Sequence, residues 1–399
     1  MTVPTERVAR ISLLDALAMG AESWDRLVGR SPTPSPFMRW AWHQAWADSA
    51  PPHELDNAFV VAGYGSHGAV EALIPMSLRE VRFRKTRANA LGWAIDGVGA
   101  PDHLDIPIAS GVSLGAVFPA IEDLPWDVII LGNVAADAPG VVQLETELRR
   151  CGLSVRRTST DPCPYLDLPA SWDSYLATLS SSRRETIRRK ERRLRREYKV
   201  SLTDYIPERL DDGWHLLHTL HAQRWDGGGV FADPRLDHLL RRFTSQLAAR
   251  DEVWLTTLDV DDAPVAAWYG FAWNDTVYFY QSGRDPRWEP ASVGLVLMSL
   301  MIRRAIDRGY RRFDFLRGRE AYKLTWTSTE RPNYEVIAFR QGWRGVMLRG
   351  LDLMARARDR LLAPAGDGRS GRDLPANLRG PVDTQRDPAH EARDPEKVV

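Results

Sequence analysis

The sequence has only two cysteines, no net charge and no apolar run of bilayer length, and each shortage excludes a class of protein. Cys151 and Cys163 are too few for a disulfide framework, and neither lies in a metal-binding pair. The 53 Lys and Arg balance 53 Asp and Glu, so no global field attracts DNA or an anionic membrane. The run from Val293 to Ile302 falls far short of the ~18 residues that a membrane span needs. Because Glu6 and Asp15 interrupt the N-terminal stretch, it is not typical of a signal peptide, and we expect a cytoplasmic protein without a transmembrane segment.

The chain is long and rich in tryptophan. The chain has 399 residues, which at about 150 residues per domain favours two or three domains. Its 15 Trp supply large apolar surfaces for cores or pockets. Residues 363–399 combine Pro, Gly and alternating charges, a composition that predicts a disordered tail. The preceding residues 346–362 carry apolar side chains at helical spacing and predict an amphipathic helix packed on the body.

The second half of the chain has the pattern of a strand-rich α/β lobe. Residues 253–259, 264–273 and 276–282 predict three strands joined by Asp- and Asn-containing turns, hence an antiparallel meander. Residues 292–308 keep one apolar helical face, and 312–316 resume as a strand. Such a β-α-β unit is a right-handed crossover, so the strands on either side of the helix should be parallel. With strand-rich stretches in both halves, we expect two related lobes.

Two short motifs resemble well-known signatures. Residues 63–68 match G-x-G-x-x-G, but Pro75 and strand-like alternation follow where a dinucleotide fold needs a helix, so we interpret them as a hairpin turn. Residues 111–115 match the G-x-S-x-G nucleophile elbow, with Ser113 as the nucleophile. No downstream His stands in a setting that marks it as the partner of Ser113. A serine hydrolase stays open as an alternative.

Three histidines and an Arg-Trp pair lie before a triple-glycine loop. His215, His218 and His221 recur every third residue and spread over about 120° of a helix, wider than a metal ion prefers, so we predict no metal site. His221, Arg224 and Trp225 are candidates for lining a pocket. A packed tryptophan beside a surface arginine is the simpler interpretation.

Residues 180–199 are the most basic segment, with ten Lys or Arg against three Glu. Ile187, Leu194 and Tyr198 form a narrow apolar stripe, which indicates a helix with a solvated basic face. The alternative is a non-catalytic scaffold that binds RNA or another phosphate-rich ligand through this helix. No aromatic residues are interleaved with the arginines, so RNA is the minor alternative.

The densest polar cluster follows the predicted crossover, at the carboxyl end of a parallel strand, where ligands of α/β sheets tend to bind. A structural network of ion pairs is an equal alternative. The cluster consists of Asp314, Arg317, Arg319, Glu320, Tyr322, Lys323 and Trp326.

Three stretches together resemble one known group of proteins. They are SPFMRWAWHQAW near the start, SWDSYLATLSSSRRETIRRKERRL in the middle and PASVGLVLMSLMIRRAIDRGYRRFDFLRGREAYKLTW late in the chain. They resemble GNAT-superfamily acetyltransferases of the cellulose-biosynthesis (CelD/BcsL-like) group, over about residues 30 to 345, and more distantly the FemAB-like peptidyltransferases. The resemblance implies an α/β (α+β) fold of tandem GNAT-like lobes, each a mixed twisted sheet flanked by helices. We expect the lobes at 1–165 and 166–345.

The same resemblance implies an acyl-CoA co-substrate, acetyl-CoA or another, in the second lobe, without a metal. Backbone groups near Gln281 and Ser282 would lie beside pantetheine. The start of the helix at Ser292, Val293, Gly294 and Leu295 would receive the pyrophosphate, because a helix N-terminus offers unpaired N–H groups to an anion. The usual Q/R-x-x-G-x-G/A loop stands here as Glu-Pro-Ala-Ser-Val-Gly and keeps only its last glycine.

The implied reaction is direct attack of an acceptor amine or hydroxyl on the thioester. Asp314 or Glu320 would deprotonate the acceptor, and Tyr322 would protonate the departing thiolate. The acceptor would be a sugar, glycan or other polar small molecule of envelope or exopolysaccharide production, and tRNA is the minor alternative. The residues expected to bind substrate are His221, Arg224, Trp225, Arg317, Lys323 and Trp326.

Overall fold

A computed structural model describes residues 3–114, 117–224 and 229–362. The predicted disorder of 363–399 concerns residues outside that part. The strands of the described part are β1 Val3–Pro4, β2 Arg7–Ser12, β3 Ala58–Tyr64, β4 Val70–Phe83, β5 Thr86–Trp93, β6 Val112–Ser113, β7 Val128–Val134, β8 Ser154–Asp167, β9 Val200–Asp204, β10 Val253–Val260, β11 Ala263–Trp273, β12 Thr276–Arg284, β13 Arg312–Asp314 and β14 Glu330–Phe339.

The helices cover both faces and the ends of these strands. They are α1 Leu13–Ala18, α2 Ala21–Arg30, α3 Trp40–Ser49, α4 Pro52–Leu55, α5 Pro139–Arg150, α6 Trp172–Thr178, α7 Ser181–Glu197, α8 Leu210–Arg224, α9 Pro234–Ala248, α10 Val293–Asp307 and α11 Trp343–Leu362. In the part of the chain that the structure describes, no helix combines the length and apolar character that a bilayer span requires.

Twelve of the described strands form one mixed sheet, in the order β2-β3-β4-β5-β7-β14-β8-β13-β12-β11-β10-β9. The predicted mixed α/β class is confirmed. The lobe boundary predicted at 165/166 falls inside β8, which pairs with β14 along most of its length and with β13 at its end. Although β14 lies near the end of the predicted second lobe, it inserts between β7 and β8 of the first. Hydrogen-bonded strands therefore connect the two halves.

The predicted meander and crossover are both present. Strands β10, β11 and β12 pair antiparallel in sequence, and β12 pairs parallel with β13. Residues 63–68 run from the end of β3 into the turn that connects it to antiparallel β4, as the hairpin interpretation predicts. The apolar side chains of α10 pack on the sheet and exclude water from one face of β11 and β12.

Strands β12 and β13 separate after a short contact, and this separation creates the site. Thr276, Val277 and Tyr278 pair with the whole of β13, after which β12 continues to Arg284 without that neighbour. On its other edge, β12 carries a bulge opposite Tyr269 and Gly270, at Tyr280. A bulge bends and twists a strand and changes the direction of its peptide groups. A gap therefore opens between the end of β12 and the segment that follows β13.

Candidate active site

A cavity of about 250 Å³ occupies the gap beside the second half of β12. Its walls come from the ends of α8, β11 and β12, the first turn of α10, and the segment after β13. It is lined by Arg224, Ala266, Ala267, Trp268, Ser282, Gly283, Arg284, Glu289, Ser292, Val293, Gly294, Leu295, Leu297, Met298, Tyr322, Thr325 and Trp326. The first turn of α10 and the segment containing Tyr322, which the sequence separates widely, thus share one cavity.

The first turn of α10 forms the polar end of the cavity. Ser292 adopts a left-handed backbone conformation (φ 57°, ψ 43°), and its hydroxyl does not cap the helix. The N–H groups of Leu295 and Val296 donate to the Ser292 carbonyl. The N–H groups of Val293 and Gly294 precede the intrahelical ladder, so they and the positive end of the helix dipole are available to an anion.

Tyr322 also lines the cavity, on the segment after β13. Its ring meets Phe279 of β12 edge to face, with ring centroids 6.3 Å apart. The Arg224 guanidinium lies 5.7 Å from the centre of the Tyr322 ring. Arg224 also donates from Nη1 to the Ser282 hydroxyl at 3.2 Å. The guanidinium therefore connects the tyrosine wall to β12.

Two basic groups lie near the polar end of the cavity, and one carboxylate partly offsets them. Arg284 Nη2 lies 2.8 Å from Glu289 of the preceding loop. The ammonium group of Lys190, on α7, donates to the Pro290 carbonyl at 3.3 Å. The basic helix therefore lies beside the mouth of the cavity. On α7, several arginines pair with local carboxylates, for example Arg195 with Glu191.

Asp314 lies outside the cavity lining, in a buried ionic cluster. Its carboxylate is 3.2 Å from His103 Nε2 and 2.7 Å from Arg331 Nη2, and it accepts from the Leu316 N–H at 2.8 Å. Burial by itself would raise the pKa of the Asp314 carboxyl, but His103 and Arg331 hold the pKa well below its usual range. The side chain is 0% exposed. The arrangement is that of a structural ion pair.

The neighbouring charges of the predicted cluster also bind one another. Arg317 Nε lies 2.8 Å from Asp102. Lys323 donates to the Arg317 carbonyl at 2.6 Å and pairs with Glu320 at 2.9 Å. None of these three predicted residues lines the cavity, whereas Tyr322 and Trp326 do. Their contacts fix the course of the segment that carries Tyr322.

His221 of α8 lies beside Gln281 of β12, with which it forms a hydrogen bond. Burial, reinforced by the positive charge of Arg224, lowers the pKa of His221 to about 4. A hydrogen bond that the protonated ring donates to the Gln281 side chain acts in the opposite direction. The ring packs edge-on against Phe231. Gly283 allows the α8 backbone at His221 to approach β12 closely. Trp225 is outside the described residues.

Sequence reasoning missed Arg284, Glu289 and the unusual conformation of Ser292. The sequence did contain a signal for Arg284. Side chains alternate between the two faces of a strand, so Arg284 shares a face of β12 with Ser282, which lies two residues earlier and was predicted to belong to the site. Ser292 stands at the position of the first glycine in the Q/R-x-x-G-x-G/A loop. Its backbone is left-handed, a conformation that glycine adopts without strain, which explains why glycine is usual there.

The setting of Ser113 differs from a nucleophile elbow. Ser113 ends the two-residue strand β6, which pairs with β1. The next regular element in the described residues is a 3₁₀ turn at Phe118–Ala120, whereas an elbow requires a strand followed directly by a helix. In the same described part, no group of three or more His, Cys, Asp or Glu residues has the arrangement of a metal site.

Comparison with known proteins identifies the kind of domain that holds this cavity. Residues 181–324 match the family model of the acetyltransferase (GNAT) domain. The chain therefore contains a GNAT-type acetyltransferase domain, and the predicted acyltransferase class of enzyme is confirmed. No curated protein sequence matches the chain.

Two solved structures are similar in fold to almost the whole chain. One is the C-terminal domain of a protein described as a lysylphosphatidylglycerol synthetase from Agrobacterium fabrum, with 12% identity, a TM-score of 0.51, and coverage of 89% of this chain and 100% of that one. The other is FemX, with 10% identity, a TM-score of 0.52, and coverage of 83% and 96% respectively. At these identities the similarity concerns the fold alone.

Proposed function

We propose that the protein is an acyl-CoA-dependent N- or O-acyltransferase and that the cavity beside β12 holds the acyl donor. The observation that carries this proposal is the meeting of the α10 N-terminus and Tyr322 in one cavity. The match of residues 181–324 to the GNAT domain supports acyl transfer as the chemistry. The cellulose-biosynthesis group suggested by the sequence is the narrower form of the same proposal.

The polar end of the cavity suits a diphosphate. The free N–H groups at Val293 and Gly294 would donate to its oxygens, and Arg284 and Lys190 would supply positive charge. Because Glu289 is paired with Arg284 at 2.8 Å, part of that charge is already neutralised. The cavity has room at Gly294, where an added Cβ would meet only Arg284 Cδ at 3.5 Å. Ser292, Leu295 and the β12 backbone at Gln281 and Ser282 complete this donor site.

The reaction we propose is direct acyl transfer. The acceptor nitrogen or oxygen forms a bond to the thioester carbonyl carbon, and backbone N–H groups near Gln281 or Ser282 stabilise the oxyanion. The carbon–sulfur bond then breaks, and Tyr322 gives its proton to the departing thiolate. Asp314 is fully enclosed by its ion pairs, so of the two predicted bases the proposal retains Glu320. Because Glu320 pairs with Lys323 outside the cavity lining, the acceptor proton would reach it through water and pass from there to solvent.

The proposed acceptor is a polar small molecule or glycan, and the proposed context is envelope or exopolysaccharide production in the cytoplasm. Arg224 and Trp326 line the cavity and would contact the acceptor or the donor. His221, Arg317 and Lys323 would act indirectly, by keeping the elements that line the cavity in position. The resemblance in sequence supports this choice of acceptor.

Calorimetry with acetyl-CoA tests the donor site. Gly294→Asp would place a carboxylate where the diphosphate binds, and we expect acetyl-CoA to bind at least ~30-fold more weakly, because two like charges at close range repel. Gly294→Ala is the matched control and should change the affinity by less than about threefold, since the added methyl group makes an ordinary contact. Equal affinity in wild type and both variants would refute the donor site.

Turnover tests the role of Tyr322. In Tyr322→Phe, with the fold intact by circular dichroism, we expect turnover to fall by about 10²-fold or more, the range of general-acid catalysis, while acetyl-CoA affinity changes little. Tyr310→Phe is the control, because Tyr310 packs against Trp254 outside the cavity lining. Parallel losses of turnover and affinity would remove the acid role.

The same preparation distinguishes the two alternatives. A serine-directed fluorophosphonate probe would label Ser113 in a hydrolase but not in an acyltransferase. Salt-sensitive binding of tRNA, lost when the arginines of α7 are replaced, together with no heat from acetyl-CoA, would favour a phosphate-binding scaffold or an aminoacyl-tRNA donor of the FemAB-like kind.

A further inference from the structure

Helix α11 presents a continuous apolar strip away from the protein. Its inner face is anchored by Leu348 and Asp352, both buried, and Asp352 pairs with Arg84 and Arg156. Successive residues of a helix are about 100° apart, so the apolar residues directly opposite these anchors fall in one strip. The strip consists of Trp343 (73% exposed), Val346 (68%), Met347 (38%), Leu353 (56%), Met354 (63%) and Leu361 (86%).

Large exposed apolar patches of this kind mark interaction surfaces on soluble domains. Gly350 and Ala357 lie between the larger side chains, and no charged residue interrupts the strip along Trp343–Leu362. Residues 343–362 form a helix, and Met347, Met354 and Leu361 face outward rather than into the body.

Arginines border the strip on both sides. By the helical period, Arg349 and Arg360 lie along one edge and Arg344 and Arg358 along the other. Arg344 pairs with Asp127 at 2.8 Å and Arg358 with Asp359 at 3.1 Å, whereas Asp352 is buried against Arg84 and Arg156. Among the described residues, the unbalanced positive charge of the border therefore lies on the edge with Arg349 and Arg360. An apolar face with an arginine border is the pattern of a helix that lies in the interface of a bilayer.

From this pattern we propose that α11 docks the protein on the surface of an anionic phospholipid bilayer. The strip would enter the boundary between headgroups and acyl chains, and the arginines would contact the phosphates. A second copy of the chain suits the strip less well, because pairing two strips would bring arginine borders together. Residues 363–399 contain few large apolar side chains with which to cover it.

Vesicle flotation of the full chain tests the proposal. We expect binding to vesicles of phosphatidylcholine with phosphatidylglycerol, and much weaker binding to phosphatidylcholine alone. The double variant Val346→Asp, Met354→Asp should bind at least ~10-fold more weakly, since each aspartate replaces an apolar side chain that would enter the bilayer. Arg349→Gln with Arg360→Gln should weaken binding about 25-fold, or about fivefold for each arginine near an anionic surface. Leu14→Asp, at a 53% exposed leucine on α1, is the control and should bind like wild type.

Three results would overturn the proposal. The first is wild-type protein that does not float with phosphatidylglycerol vesicles. The second is a Val346/Met354 double variant that floats as wild type does. The third is a wild-type dimer that becomes monomeric in the double variant while neither form binds vesicles, because a second copy would then occupy the strip. The substituted side chains are exposed, so an unchanged melting temperature confirms that each variant is folded.

Discussion

Asp314→Asn distinguishes a structural carboxylate from a catalytic one. The carboxylate is fully buried, with Arg331 at 2.7 Å and His103 at 3.2 Å. The amide would remove the negative charge and leave Arg331 buried without its partner. Breaking a buried ion pair from one side costs about 3–5 kcal/mol, a large part of the ~5–15 kcal/mol by which a domain is stable.

Urea denaturation measures this loss, and the same ladder of strands provides the control. Asp167 pairs with Arg312 at 2.7 Å but is 67% exposed, so Asp167→Asn should cost at most about 1 kcal/mol. Well below its melting temperature, Asp314→Asn should still bind acetyl-CoA, because Asp314 does not line the cavity. A variant of unchanged stability with abolished turnover would refute the structural assignment and restore Asp314 as a base.

Three further predictions concern the cavity walls and α11. Ser292→Gly should raise the free energy of unfolding by about 0.5–1 kcal/mol, as measured by thermal denaturation. Glycine removes the steric strain of the left-handed conformation at φ 57°, and this gain exceeds the extra chain entropy that glycine loses on folding. Gly283→Ala should lower the free energy of unfolding by about 1–3 kcal/mol, because the added Cβ would overlap the His221 backbone. The control is Gly350→Ala, which has open space around it on a helix and should raise the free energy of unfolding by up to about 1 kcal/mol. Burial lowers the pKa of His221 to about 4, below its unfolded value of about 6.5, so its contribution to stability is complete above about pH 6.5 and is lost toward pH 4. Denaturation at several pH values should show that the free energy of unfolding of His221→Gln falls less steeply with decreasing pH than that of wild type. Identical profiles for the two proteins would contradict this.

The local parts of the fold could be predicted from the sequence. The meander β10–β12 and the crossover through α10 depend on turns, helical periodicity and handedness, all of which act over short stretches. The placement of Ser292 and Tyr322 around one cavity followed from the same crossover, since the carboxyl ends of β12 and β13 lie at one edge of the sheet.

The nonlocal parts could not be predicted in this way. Asp314 looked like a candidate base because its partners, His103 and Arg331, come from separate segments whose pairing no local pattern reveals. β8 contains Pro162, Pro164 and several charges, so it has little of the alternation that marks a strand. For α11 the period predicted the helix, but apolar residues on both sides gave no indication of which side meets the body.

The insertion of β14 between β7 and β8 has a consequence for biosynthesis. A nascent chain that has emerged only as far as residue 165 holds β7 and most of β8 but not the strand that joins them. Unpaired strand edges attract other chains and promote aggregation. Completion of the amino-terminal half must therefore wait until β14, which ends at Phe339, has been translated. An expression fragment that ends at the predicted lobe boundary would expose the unpaired edges of β7 and β8. Truncated chains should instead end after Phe339.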